Sequence, residues 1–155
     1  MPHTGVIDET LVGEKELLMR ARLHVVGGFT RFSEGMIADA IAAIYDAISS
    51  AMQRFVILDG VEHDLIRSDH DDVSDDEILF KVLHKSGIFD DSTTQEDFDF
   101  IERTLNDAIE DQLETFDETS FLEISLSLLN QLGVAIEDLD MYSSTTSLSQ
   151  LQRHQ

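Results

Sequence analysis

The chain has 155 residues, with 32 Asp and Glu against 10 Lys and Arg, a formal net charge of −22 and no cysteine. Its length fits one domain able to bury about 70% of its unfolded surface, and an apolar share of 42% excludes an acidic disordered polymer. The lack of cysteine excludes disulfides and thiolate metal sites, and no apolar run approaches the roughly 20 residues that span a bilayer.

The opening residues, Met1-Pro2-His3-Thr4-Gly5, lack the charged and apolar regions of a signal peptide, so a cytoplasmic location is expected. The acid excess disfavours anionic membranes and phosphate backbones, the latter except where molar salt screens them. Asp outnumbers Glu, and the only lysines are Lys15, Lys81 and Lys85. That bias resembles cytoplasmic proteins of salt-loving archaea, whose acidic surfaces stay soluble in concentrated KCl. Self-repulsion at such a charge destabilises the compact state, and salt relieves it. The competing reading is an acidic partner for a basic protein or a cation.

In chain order, residues 10–32 carry Leu11, Leu17, Leu18, Leu23, Val25 and Val26 near helical spacing. Gly27-Gly28 predicts a kink there, or a break with a restart at Phe29. Ser33-Glu34-Gly35 is a turn. Residues 36–58 form the clearest helix, with Ile37, Ile41, Ile44, Ile48, Met52 and Phe55 on one stripe. Ala40, Ala43, Ala47 and Ala51 make a second, small stripe that lets another helix approach. Apolar residues over most of the circumference predict a buried helix, its alanines packed on the first helix or on another subunit. Asp59-Gly60 ends it, and an acidic loop follows to Glu77.

Ser74-x-x-Glu77 reads as a capping box opening a helix that stops at Gly87, with Ile88 folding back on Leu83. Thr93-x-x-Glu96 opens the next helix, expected over residues 94–115 with Phe98, Ile101, Leu105, Ile109 and Leu113 inward. Asp117 or Ser120 caps the last helix, which Gly133 terminates. The expected fold is an all-α bundle of about five antiparallel helices within residues 1–140, followed by a polar, disordered tail over 141–155.

The order of these features resembles the HEPN superfamily of small helical domains. The resemblance covers residues 14–57: Leu18-x-Arg20-Ala21-Arg22-Leu23-His24 on the first helix, Ser33-Glu34-Gly35, then Ala40, Tyr45-Asp46-Ala47 and Ala51 on the second. Active members are ribonucleases that place an Arg and, about one helical turn later, a His on a late helix, usually across a dimer. Such spacing lets Arg steady phosphate charge while His moves a proton. This chain departs from it: Arg103 is followed at 108–110 by Ala, Ile and Glu, while Arg20 and His24 stand on the first helix. The resemblance therefore implies the non-catalytic role, a helical module that dimerises or binds a partner protein; separately, no cofactor is expected.

Two groups carry the alternative, a divergent nucleotide- or RNA-handling enzyme. Arg20, Arg22 and His24, with Arg103, could contact phosphate; ion pairing with Glu14, Glu16 or acids of the next helices is the favoured account of the first three. In the loop, His63, Asp69, His70 and Asp71 combine imidazole and carboxylate ligands suited to Zn²⁺ or Mn²⁺, against a plain solvated loop. Tyr45 and Asp46 form the one polar pair in the second helix, explained functionally as a ligand contact or structurally as a hydrogen-bonded core tyrosine.

Overall fold

Helical periodicity and cap residues resolve into five α-helices. The computed structural model describes residues 10–61, 64–114 and 116–134, and contains α1 (Glu14–Ser33), α2 (Ile37–Ile57), α3 (Asp76–Lys85), α4 (Gln95–Ile109) and α5 (Glu118–Gln131). Among the described residues there is no strand, and no helix long and apolar enough to cross a membrane. The expected tail over 141–155 lies outside the described residues.

The first helix starts later than its apolar spacing suggests, at Glu14, and runs unbroken through Gly27 and Gly28. No kink is needed because the glycine serves proximity: a Cβ on Gly28 would lie 2.7 Å from Ile44 Cδ1, 2.9 Å from Ile44 Cγ1 and 3.4 Å from the Ala40 carbonyl oxygen. The helix ends in a Schellman motif. Met36 N–H donates to the Arg31 carbonyl at 2.8 Å and Gly35 N–H to Phe32 at 3.1 Å, with Gly35 at φ 77°.

Every other helix packs on α2, whose contact with α1 is the most extensive in the fold. Ala40 (0% exposed), Ala43 (6%), Ala47 (0%) and Ala51 (1%) are buried with Ile41, Ile44, Ile48 and Met52. The alanines proposed as a candidate interface are thus covered within a single chain; a second subunit has no access to them while the helices stay packed. The expectation of a nearly apolar circumference also needs correction, since Asp39 and Asp46 are exposed and Ser49, Ser50 and Gln53 half-exposed. Arg54 in the last turn of α2 pairs with Glu14 in the first turn of α1 at 2.9 Å.

Helices α3 and α4 begin one residue off the expected caps. Asp75, not Ser74, caps α3 by accepting from the Glu77 and Ile78 amides, while Ser74 donates to Asp72. Thr94, not Thr93, caps α4 in a reciprocal capping box with Asp97. Asp has a short carboxylate that reaches the second and third amides directly, so it takes the cap where a box with Glu was predicted. Asp117 caps α5, as one of the two expected residues. The α3 terminus follows expectation: Ile88 N–H donates to the Leu83 carbonyl at 3.1 Å, and Ile88 packs against the core.

Helix α4 stops at Ile109, well short of 115, because Asp111 adopts φ 56° and Gln112 N–H bonds back to the Asp107 carbonyl at 2.7 Å. Ile109, predicted inward, is 71% exposed. Phe29, Phe80, Phe98 and Phe121 fill one apolar cluster drawn from all five helices. Gln131 of α5 clamps the α3–α4 connection, accepting from Asp90 N–H at 2.6 Å and donating to Thr93 Oγ1 at 2.9 Å.

The substitution Gly28→Ala sets helix propensity against overpacking. The gain is about 0.5–1 kcal/mol and the cost about 1–3 kcal/mol, so a net loss of about 1–2 kcal/mol is expected in urea unfolding. Ile44→Val, which removes Cδ1, should cost less in the Gly28→Ala background than alone; additive effects would show that Ile44 does not fix this approach.

Candidate functional site

The residues singled out from sequence do not come together as one centre. His63 lies outside the described residues. Asp69 and His70 are exposed, and Asp71 accepts from Ser68 N–H at 2.9 Å and lies 3.8 Å from Lys85 Nζ. Asp69, His70 and Asp71 form no metal-ligand group among the described residues. Arg20 pairs along its own helix with Glu16 at 2.9 Å, in the open. Arg22 and His24 are half-buried, and the charge of His24 acts on Asp46 across the α1–α2 contact. Arg103 is exposed on α4 and lines a cleft.

Tyr45 and Asp46 lead instead to an acidic seam where α2, α3 and α4 meet. Tyr45 Oη donates to Glu102 Oε2 at 3.3 Å, and one turn further Ser49 Oγ donates to Asp76 Oδ1 at 2.8 Å. Below them rings form a firm floor: Tyr45 lies 6.4 Å from Phe98, which stacks on Phe80 at 4.6 Å, and Phe80 stacks on Phe89 at 5.0 Å. Caps and helix starts bring acids to this place: Asp75 and Asp76 open α3, Glu77 follows, and Asp99 and Glu102 stand three apart on α4. Glu77, Asp99 and Glu102 each present an oxygen within 4.8 Å of the others, a donor set suited to an oxygen-ligated cation such as Mg²⁺ or Ca²⁺. Lys81 offsets part of the charge, 3.4 Å from Glu77.

Crowding has electrostatic consequences. Burial, chiefly, then the charge of Glu77 and more weakly those of Asp75 and Asp76 raise the Glu102 pKa above the ordinary glutamate value, against a lowering by the Tyr45 bond. Asp46 is exposed as a residue, but its carboxyl is partly desolvated, which together with the charge of Asp76 raises its pKa, while His24 opposes them. Burial, Asp76 and Glu102 hold the Tyr45 phenol far above its usual range, so it stays a proton donor.

A second feature was not visible in the sequence. Because α4 ends early, its last turns and the start of α5 leave a cleft of about 190 Å³ lined by Phe100, Arg103, Thr104, Asp107, Gln112, Leu113, Phe116 and Asp117. Phe116 is held by a near-parallel stack on Phe32 at 6.5 Å and an edge contact with Phe121 at 5.8 Å. Neither place could be read locally: the acids are far apart in sequence, and the cleft depends on where α4 stops. The one available signal was Tyr45, a phenol on a buried helix that had to find a polar partner.

No protein-family model, curated protein or solved structure matches this chain.

The raised carboxyls fix a sign for the pH dependence. A folded-state pKa above the unfolded one gives stability that is full below the ordinary carboxylate range and lost as pH rises through the folded value. Glu102 and Asp46 should therefore make the protein less stable as pH rises above the ordinary carboxylate range. Asp72, Asp90 and Asp117, lowered by hydrogen bonds from Ser74, Ser92 and Ser120, act oppositely at more acidic pH. Urea midpoints measured across this range should decline less steeply in Glu102→Gln, which keeps an oxygen for Tyr45. An unchanged slope would place the titration elsewhere.

Proposed function

We propose that this chain is a non-catalytic helical interaction module, HEPN-like in the arrangement of its first two helices, working in a salt-rich cytoplasm. One observation carries the reading. Of the partly covered apolar side chains that border the core, Phe100, Leu113 and Phe116 gather around one cleft at the α4–α5 corner. Small-molecule sites run to roughly 300–1,000 Å³, so a cleft of about 190 Å³ is on the scale of one large side chain presented by another protein. The resemblance over residues 14–57 supports the same role, and the charge of −22 supports the salt-rich setting.

Nucleotide or RNA handling is the second reading, favoured by the carboxylates Glu77, Asp99 and Glu102 near Tyr45. Phosphate could approach such a seam only through a bridging divalent cation. If Mg²⁺ and Mn²⁺ leave the melting temperature of the protein unchanged, that reading fails.

The native mass of untagged protein from its own host, isolated in molar KCl, tests the module. A mass above that of the 17.4 kDa chain is expected, either a dimer joined away from the cleft or a complex with a partner protein seated in it, and in the second case Leu113→Asp should release the chain as a monomer. A monomer at every concentration and salt level would sink the proposal.

A further inference from the structure

We infer that the cleft at the α4–α5 corner docks a cationic segment of a partner protein, one that inserts a single apolar or aromatic side chain. The inference rests on the interaction-module reading and names the chemistry of the partner.

The floor is apolar and held in place. Phe116 is gripped between Phe32 and Phe121, and Phe100 and Leu113 pack against the core on one side only. Thr104 spends its hydroxyl on the Phe100 carbonyl at 2.9 Å and makes no demand on a ligand. The lip is shaped by a fixed turn, with Asp111 at φ 56° and Gln112 N–H bound to the Asp107 carbonyl at 2.7 Å. A preformed pocket of this kind lowers the ordering cost of association.

Charge selects the occupant. Asp107 and Asp117 line the cleft, and Glu110, Asp111 and Glu114, all exposed, stand in the same stretch of chain, against the single cation Arg103. Like charges repel nucleic acid, and also a second copy carrying −22. Lysine or arginine flanking the anchor meets the acidic rim, while Arg103 donates to a main-chain carbonyl of the docked segment. Molar salt shrinks the range of this attraction to about 3 Å, so contact pairs at the rim survive where long-range steering does not.

The probe is a short labelled peptide of lysines spaced with leucine and one phenylalanine, followed by fluorescence anisotropy at low salt and in molar KCl. Two controls replace either the apolar residues by serine or the lysines by glutamate. The first peptide should bind about tenfold more tightly than either control. Leu113→Asp and Asp107→Lys should each erase that preference, while Ile57→Asp, at a distant exposed position, should not. Circular dichroism confirms the helix content of each variant, and Asp107→Lys carries the test if Leu113→Asp unfolds. Equal binding of the serine peptide reduces the effect to bare charge and overturns the inference, as does equal binding of the glutamate peptide. Unchanged affinity in both cleft variants, or no binding at all, also overturns it. The native mass is read separately, so a complex that forms while the peptides fail would refute the cleft and keep the module.

Discussion

The close approach of α1 to α2 is the contact on which the rest of this structure depends. Helix α2 is the only one in substantial contact with all four others, so its position sets theirs. What lets α1 lie so near is a missing side chain at Gly28, filled from across the contact by Ile44, itself wholly buried. Close packing of this kind transmits displacement instead of absorbing it. A shift of α1 would be felt at Tyr45, one residue along from Ile44, and so at the acidic seam.

That seam shows how a strongly acidic chain tolerates its own charge. Most of its carboxylates are dispersed over exposed surface, where solvent and salt screen them. Around Glu102 dispersal fails, because capping demands acids at the start of α3 and the polar face of α4 brings two more. A tyrosine hydrogen bond and one lysine ease the crowding, and what remains of it pushes the Glu102 carboxyl above its ordinary range. Helix capping and charge repulsion are thus in conflict at one place, and the capping arrangement prevails.

The helices were legible in the sequence because hydrophobic period and capping residues are local signals. Their number, order and all-α class follow from that pattern, as does the Schellman end at Gly87. Boundaries slipped where two candidates stood side by side, as with Ser74 against Asp75 and Thr93 against Thr94; Thr93 turned instead to Asp90 and Gln131. Gly27-Gly28 misled for a physical reason, since a glycine that breaks a helix and one that admits a neighbour look alike until the neighbour is known. The candidate sites fared differently. Asp69 to Asp71 suggested ligands through adjacency, whereas the carboxylates that do converge come from two helices, and no pattern in one dimension reports that.

Arg54 marks a further property of the fold. It pairs with Glu14 at the start of α1 and passes 3.2 Å from where a Cβ on Gly133, beyond the end of α5, would stand. The described chain therefore enters and leaves at one pole. The stack of Phe32 on Phe116 lies at the far end of α1, about 27 Å away at 1.5 Å per residue. Anything joined to the chain before α1 or after α5 is tethered at the pole opposite the cleft. The described chain is thus polarised, its two ends at one pole and the apolar recess beside the other end of α1.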